Sequence, residues 1–523
     1  MPEDAQTWAP IAISALVLGG LLALRVRPAT PFSRLAWVLL PLALISTLIV
    51  AWAAFRLVPF WTWSAARLAA SARLAYGFPL YTAPGDAMVN GWVYGPVSAI
   101  AYWPAIWAGE PLAALRAATW LNALYFLLPP FLVGAPLWSM PGRRLSAAYA
   151  AIFGVAALLV PYSTWYGAAA LSADTVAICL GSCSCLALSR GRHFALAAAL
   201  AVLAVWSKQI EAPLLLAQIG FLTWKRGGRV AAHYTGWLAG MGLLVSAAFG
   251  LWFGFAALWH CTVTIPSRHP LETARLGGLL LALAGSTWWV WPLALAARPW
   301  RRTQDPADGS APNGAAFLLL LVSLALLPGG LAAAAKAGGD QNSLHTIAYA
   351  VLGAITLAAG WLGSSDVRHA SRARLALLAG LALALFAGGQ RIVVHDHLAV
   401  ADPGAQHREA FAFARARPGQ TYYPCNPLIS LMAERRDYPF VYGLDDWRLA
   451  GAAPSPEALR RLLPPTLTFI VYHEKDPSHE MIRVFPNFNR RRVTGPWDMF
   501  TRAPAPPPPG DAAKATNPSP IRP

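Results

Sequence analysis

The chain has 523 residues, of which 56% are hydrophobic and only 12% are charged, whereas soluble domains carry about 25% charged residues. This composition excludes an ordinary soluble domain and predicts a polytopic membrane protein. The net charge of +17 would suit nucleic acid binding, but the arginines fall in short clusters between apolar segments. That pattern is typical of membrane orientation and excludes nucleic acid as a partner.

Twelve apolar segments are predicted as membrane spans, since about 20 residues cross the hydrocarbon core. They are residues 8–25, 35–55, 113–138, 145–163, 174–189, 194–207, 211–224, 232–256, 276–297, 316–333, 343–362 and 373–388. The pair on either side of Lys208 is the least regular, because it also fits one long kinked helix. The predicted fold class is mainly α, with residues 1–388 as the transmembrane domain.

The basic residues predict the orientation of these spans. One alternating set of connections carries sixteen Lys and Arg residues and the other carries eight, and the more basic side faces the cytoplasm. Both termini then lie outside a multi-pass inner (plasma) membrane protein. The outer connections carry the carboxylates of Asp86, Glu110, Asp174, Glu211, Glu272 and Asp340. Carboxylates beside apolar spans are costly unless they face water, a partner or a ligand, so this asymmetry predicts a site at the outer face.

Two regions are predicted to lie outside the spans. The outer loop 56–112 contains a surface helix at 64–76, whose Arg67 and Arg73 are expected to touch lipid headgroups. It also contains an interfacial helix at 97–108, whose aromatic side chains suit the headgroup region. Residues 389–502 combine helical stretches such as 407–419 with strand-like runs such as 468–473, and they are predicted to form a small extracytoplasmic α/β domain. Residues 503–523 are rich in Pro and Ala and predict a disordered tail.

Four segments carry a family resemblance. Residues 76–105 resemble the first outer loop of the GT-C superfamily of integral-membrane glycosyltransferases, which includes protein mannosyltransferases and aminoarabinose transferases of bacterial lipid A. The matching positions are Gly77, Leu80, Tyr81, Tyr94, Gly95 and Pro96. The other three segments are 171–180 with Asp174 at the start of a span, 204–216 with Lys208 in a break between spans, and 337–351 as a late outer loop.

The resemblance implies a GT-C fold that transfers a sugar from a polyprenyl-phosphate donor in the bilayer to an acceptor at the outer face. It also implies a role in the cell envelope. One departure concerns residues 56–64, which contain no Asp or Glu, although the family usually has an acidic residue there. Either Asp86 or Asp174 then supplies the carboxylate, or the protein is an inactive or divergent member.

Sugar transfer needs a carboxylate to orient or deprotonate the acceptor hydroxyl and a cation to stabilise the leaving phosphate. We take Asp86 and Asp174 as candidate catalytic residues, and we expect Asp86→Asn and Asp174→Asn each to reduce transfer. Each has a structural alternative, as a turn residue for Asp86 and as a helix N-cap for Asp174. The candidate substrate-binding residues are Tyr81, Tyr94, Lys208, Lys336, Asp340, Asn342 and His345.

The binding candidates also have structural alternatives. Lys208 alternatively pairs with Glu211 three residues on. The segment from Lys336 to Asn342 alternatively forms an ordinary polar connection, and His345 alternatively packs in the core. The sequence assigns no metal ligand and defines neither a cofactor nor the acceptor.

Two other functions compete with sugar transfer. A secondary transporter suits twelve spans, but such proteins usually have two related halves and polar residues near the membrane midplane. The sequence shows no internal repeat, and its carboxylates gather at one face. The missing early acid leaves a non-catalytic membrane protein of cell-envelope polymer assembly as the second alternative.

Overall fold

A computed structural model describes residues 62–138, 169–191, 193–287, 311–365 and 404–473, together with 481, 484–485, 487–488, 490–494 and 497–502. The described residues are mostly helical. The outer loop forms α1 (Thr62–Ala75), α2 (Pro96–Tyr102) and a 3-10 helix (Trp103–Ala108). The apolar region forms α3 (Pro111–Trp138), α4 (Ala173–Arg190), α5 (Phe194–Val205), a 3-10 turn (Gln209–Glu211), α6 (Pro213–Arg226), α7 (Gly228–Phe253), α8 (Phe255–Trp259), a π-helix (His260–Thr264), α9 (Ile265–Ser267), α10 (Arg275–Thr287), α11 (Ala311–Ala335), a 3-10 turn (Gln341–Leu344) and α12 (His345–Ser365).

Three of the described helices are long and apolar enough to cross a membrane, at Pro111–Leu132, Gly228–Phe253 and Gly314–Ala335. The predicted count of twelve spans is therefore not confirmed. The predicted spans 8–25, 35–55, 145–163 and 373–388 lie outside the described residues. The interpretation of 194–224 as one kinked helix is wrong, because Lys208 has extended backbone angles between α5 and α6 (φ −149°, ψ 122°).

Small residues let the apolar helices pack closely. Ala197, Ala201 and Ala204 on α5 have no exposed surface and belong to one core cluster that also includes residues of α4, α6, α7, α11 and α12. Small side chains at such contacts bring helix backbones together where no water is available to drive association. This packing sets the relative positions of the helix ends at which the candidate residues lie.

A chain of hydrogen bonds joins four of these helices inside the apolar region. Tyr234 on α7 donates to Oε1 of Gln218 on α6 at 2.5 Å. Nε2 of Gln218 donates to Oγ of Ser184 on α4 at 2.8 Å, and that hydroxyl donates to the Ala197 carbonyl on α5 at 2.6 Å. We call these residues the Gln218 network.

The outer loop is packed into the protein, which corrects one expectation about its arginines. The prediction that Arg67 and Arg73 touch lipid headgroups is wrong. Arg73 is only 1% exposed, and its Nε donates to both carboxylate oxygens of Asp437 at 3.1 and 3.0 Å. Nη1 of Arg67 donates to the Leu171 carbonyl at 2.6 Å. The loop therefore connects the helices beneath it to the C-terminal region.

The C-terminal region contains a small sheet covered by short helices. Its elements are α13 (Ala405–Arg415), β1 (Thr421–Tyr422), α14 (Pro427–Glu434), α15 (Val441–Leu449), α16 (Pro456–Leu462), β2 (Phe469–His473), β3 (Arg490–Thr494) and β4 (Trp497–Thr501). The strand order is β1-β2-β4-β3, with β1 parallel to β2 and the other two pairs antiparallel. The strand predicted within 468–473 is confirmed as β2. The domain boundary at 388/389 lies outside the described residues and stays a prediction, as does the tail 503–523.

The C-terminal region contacts the outer loop through glycine backbones. A Cβ built on Gly443 would lie 2.5 Å from Cα of Gly91, a separation at which only glycine fits. Beside this contact, the Phe440 amide donates to the Val89 carbonyl at 3.0 Å. The two parts are therefore in direct backbone contact, which holds the start of α15 against the outer loop.

Candidate functional site

The start of α4 places Asp174 in the protein interior. Ser172 has extended backbone angles, and its hydroxyl accepts the Thr175 amide at 3.3 Å as the helix N-cap. Because Ser172 has this capping role, the proposed alternative of Asp174 as N-cap is wrong. Asp174 lies in the first turn and is 1% exposed, where the positive end of the helix dipole favours its negative charge.

The break between α5 and α6 brings a cation to this carboxylate. Lys208 and Asp174 form an ion pair in which their side chains are 5% and 2% exposed. The partner of Lys208 is thus Asp174, not the Glu211 suggested by sequence spacing. Each of these buried charges depends on the other, because a buried charge without its partner is strongly destabilising.

Glu211 and the start of α12 lie beside this ion pair. The Thr346 hydroxyl donates to Oε1 of Glu211 at 2.6 Å, and Glu211 is 1% exposed. His345 precedes Thr346 and is 2% exposed. The charges of Lys208 and Asp174 act on both Glu211 and His345, so these residues form one electrostatic unit.

The matched Tyr94-Gly95-Pro96 segment lies directly against the break. A Cβ on Gly95 would be 1.7 Å from the carbonyl oxygen of Trp206, so this position requires glycine. The Val97 amide donates to the same oxygen at 3.3 Å. As a result the half-buried Tyr94 ring lies 5.8 Å from Nζ of Lys208, within the range of a cation–π contact.

Arg67 adds a second cation from α1, and its charge acts on both Asp174 and His345. We call the whole group the Asp174 cluster. Its members are Arg67, Tyr94, Asp174, Lys208, Glu211, His345 and Thr346. With two cations and two carboxylates its formal charge is balanced when His345 is neutral, as buried polar groups require in a medium of low dielectric.

Tyr81 supports the cluster from behind Tyr94. Its hydroxyl donates to the Tyr94 carbonyl at 2.8 Å, and the residue is 4% exposed. Burial raises the pKa of Tyr81 well above its ordinary value, so the hydroxyl stays a neutral donor. The structure therefore places Tyr81 where it orients Tyr94.

Asp86 lies apart from the cluster, on an exposed turn. Its Oδ1 accepts the Met88 amide at 3.1 Å, which is a local turn hydrogen bond. In the described part of the chain none of its hydrogen bonds or ion pairs reaches the Asp174 cluster. The two candidate carboxylates thus have very different surroundings.

The remaining candidates lie in the connection between α11 and α12. Nζ of Lys336 donates to the Pro266 carbonyl at 2.7 Å, which ties this connection to α9. Asp340 is exposed and Asn342 is half-buried. This connection leads directly into His345, and the charge of Asp340 acts on that histidine, so we call residues 336–342 the rim of the cluster.

The sequence reasoning missed three members of the cluster. Arg67 was expected to contact lipid, Glu211 was given a structural role, and Thr346 was not considered. The sequence did contain a signal for Glu211. This residue occurs in an irregular break between two apolar segments, where a carboxylate needs a partner because water is scarce. Within the described ranges, no three His, Cys, Asp or Glu side chains are grouped as metal ligands.

No family model matches the sequence, and no curated protein matches it. Among solved structures, the chain resembles ArnT from Cupriavidus metallidurans bound to undecaprenyl phosphate, with a TM-score of 0.46 and 12% identity over 88% of this chain and 97% of that chain. It also resembles the apo state of that protein, with a TM-score of 0.44 at the same identity and coverage.

ArnT is an aminoarabinose transferase and a GT-C glycosyltransferase. It belongs to the superfamily that the loop motifs of this chain resemble. At 12% identity and TM-scores below 0.5, conclusions about the activity of this chain rest on its own residues.

Proposed function

We propose that the protein is a membrane glycosyltransferase that transfers a sugar from a polyprenyl-phosphate donor to an acceptor at the outer face. The observation that carries the proposal is the buried Asp174–Lys208 ion pair, which lies under Tyr94 where the outer loop meets the ends of α4 and α5. A carboxylate and a cation are the two groups that this transfer requires, and here they are in contact before any substrate binds.

The proposed reaction exchanges the partner of each charged group. Lys208 leaves Asp174 and binds the donor phosphate, whose developing charge it stabilises. The freed Asp174 carboxylate accepts the proton of the acceptor hydroxyl. The bond between the anomeric carbon and the phosphate oxygen breaks, the acceptor oxygen bonds to that carbon, and polyprenyl phosphate leaves.

The other candidates have supporting roles in this proposal. Tyr81 orients Tyr94, which covers Lys208. Lys336, Asp340 and Asn342 lie on the rim, where they would contact the acceptor or the lipid phosphate. Asp86 would join the reaction only if its exposed turn moved toward Lys208.

The proposal places the Asp174 cluster and the C-terminal region on the extracytoplasmic side. It predicts that a membrane-impermeant maleimide labels a cysteine at Glu110 in intact cells. A cysteine at Arg190, at the other end of α4, should react only after permeabilisation. The reverse labelling pattern would place the cluster on the cytoplasmic side and would rule out transfer at the outer face.

Lipid binding and turnover test the proposal directly. The full chain would be reconstituted in nanodiscs and titrated with undecaprenyl phosphate, and turnover would be followed as release of that lipid from its mannosyl, glucosyl and aminoarabinosyl derivatives. We expect Lys208→Met to weaken binding at least tenfold, since it removes the cation that meets the phosphate. The matched control is Lys225→Met at the far end of α6, where the ammonium lies over Phe317. Equal affinities for the two variants, or no binding by the wild type, would refute the proposal.

One observation favours a non-catalytic alternative. Asp174 and Lys208 already neutralise each other inside the protein, which is also how a purely structural pair behaves. A non-catalytic member of an envelope assembly would bind lipid-linked sugar without releasing undecaprenyl phosphate from any of the three derivatives. The turnover assay therefore separates the two functions.

A further inference from the structure

Two buried polar atoms of the Asp174 cluster have unused hydrogen-bonding capacity. Oε2 of Glu211 and Nδ1 of His345 have no hydrogen-bond partner among the described residues. Both residues are almost completely buried, at 1% and 2% exposure. Because an unpaired buried polar group is costly and uncommon, two of them in one cluster require an explanation.

A structural role explains only one of the two carboxylate oxygens of Glu211. Its Oε1 accepts the Thr346 hydroxyl at 2.6 Å, which ties the start of α12 to the break between α5 and α6. That bond orients the carboxylate but leaves Oε2 without a donor. A tether alone needs a single acceptor, and a neutral side chain such as Gln would supply it at a lower desolvation cost.

The hydrogen-bonding chemistry of Oε2 of Glu211 and Nδ1 of His345 defines which group could bind to both atoms. An ionised carboxylate oxygen only accepts hydrogen bonds, whereas Nδ1 of a neutral histidine donates or accepts according to its tautomer. A hydroxyl group can serve both, because it donates and accepts. A hydroxyl also adds no further charge to this buried cluster.

We propose that Glu211 and His345 form a hydroxyl-binding subsite for the sugar of the lipid-linked donor. This inference rests on the proposed function, in which Lys208 binds the phosphate next to that sugar. The charge of Lys208 reaches both Glu211 and His345, so the phosphate and the sugar would lie side by side. The phosphate would pair with the Lys208 ammonium and the sugar hydroxyl with Glu211 and His345, so the two parts of the donor headgroup would bind different residues.

Two lipids that differ only in the sugar test this subsite. Full-length protein in nanodiscs would be titrated with undecaprenyl phosphate and with its mannosyl, glucosyl and aminoarabinosyl derivatives, and the tightest derivative would be compared with the sugar-free lipid. We expect Glu211→Gln to weaken the sugar-bearing lipid about tenfold, as loss of a charge-assisted hydrogen bond predicts. Binding of undecaprenyl phosphate should change less than twofold. His345→Phe should give the same selective loss.

The control is Glu272→Gln, which neutralises a half-exposed carboxylate paired with Arg275 at 3.8 Å and should change neither affinity. Dissociation constants from one preparation give a ratio that does not depend on the folded fraction. If Glu211→Gln weakens both lipids equally or neither, the subsite is wrong, while the proposed function survives if Lys208→Met still loses undecaprenyl phosphate. If no derivative binds the wild type more tightly than the sugar-free lipid, the subsite is also overturned.

Discussion

The Gln218 network and the Asp174 cluster differ in how completely their buried polar atoms are hydrogen-bonded. In the Gln218 network, Oε1 and Nε2 of Gln218 both have partners, and so does the Ser184 hydroxyl. In the Asp174 cluster, Glu211 and His345 each retain an atom without a partner among the described residues. Complete bonding suits a role in helix packing, whereas the incomplete bonding of the Asp174 cluster is the observation on which the proposed subsite rests.

The backbone is also more regular around the Gln218 network than around the Asp174 cluster. Gln218 and Tyr234 occur within continuous helices, so their backbone bonds are satisfied locally. Lys208 lies in an extended break, and Glu211 in a 3-10 turn. Irregular backbone at membrane depth persists where protein or a cavity surrounds it, and it frees side chains from helical spacing. The cluster thus combines residues that no single helix could bring together.

The largest effect is expected at the ion pair itself. Asp174→Asn leaves the Lys208 ammonium buried without its counter-charge, which typically costs about 3–5 kcal/mol of stability, and transfer should be lost. The double variant Asp174→Leu/Lys208→Met removes both charges and should recover most of the thermal stability but none of the turnover. Turnover by the double variant would show that the pair has only a structural role.

A substitution in the Gln218 network should lower the stability of the protein without changing its affinity for lipid. Tyr234→Phe leaves Oε1 of Gln218 without its donor and should destabilise the protein by about 1–2 kcal/mol. The affinity for undecaprenyl phosphate should stay at the wild-type value, because no member of the network belongs to the Asp174 cluster. Thermal unfolding and lipid titration on the same preparation measure both quantities. A change in lipid affinity comparable to that of Lys208→Met would remove the distinction between the two groups.

A smaller, pH-dependent effect is expected where α15 meets the connection between α9 and α10. Burial, aided by the neighbouring charge of Asp445, raises the pKa of Asp446 to about 7. Burial also lowers the pKa of His269, whose Nε2 lies 3.9 Å from Oδ1 of Asp446 and within hydrogen-bond distance of its carbonyl, at 3.0 Å. Arg448 pairs with Asp445 at 3.1 Å, and the charge of Lys336 acts on His269.

The direction of this effect follows from proton linkage. An unfolded Asp446 loses its proton near pH 4, whereas the folded one holds it to about pH 7. The contribution of Asp446 to stability is therefore complete below about pH 4 and is lost as the pH rises through about 7. The melting temperature should fall over this range in the wild type and less steeply in Asp446→Asn. Equal slopes for the two proteins would show that Asp446 does not titrate in this window.

The smallest effect is expected at the exposed carboxylate. Asn in place of Asp86 keeps the side-chain oxygen that accepts the Met88 amide, and exposed substitutions typically change stability by less than about 0.5 kcal/mol. Turnover by Asp86→Asn should therefore exceed that of Asp174→Asn by a wide margin. A loss as large as that of Asp174→Asn would show that the 83–88 turn closes over the cluster during the reaction.

The sequence predicted the local features of the site better than its long-range contacts. The helix starts near Asp174 and His345, the break at Lys208 and the Gly95-Pro96 turn all follow from apolar segment lengths and from Gly and Pro. The pairing of Asp174 with Lys208, 34 residues apart, depends on how α4 packs against α5 and α6. The pairing of Arg73 with Asp437 spans 364 residues, so helical and strand periodicity contains no signal for it.

The close approach of Gly95 to the Trp206 carbonyl has a consequence for access to the site. The Val97 amide donates to that carbonyl, and Nε2 of Gln209 donates to the Val93 carbonyl at 2.9 Å, so hydrogen bonds on both sides of Tyr94 join its segment to the one that carries Lys208. A movement of the outer loop would therefore also move Lys208 together with the Tyr94 ring that lies over it. On the proposed function, a lipid headgroup would reach Lys208 by rotation of the half-buried Tyr94 side chain, a local motion that displaces neither of the two joined segments.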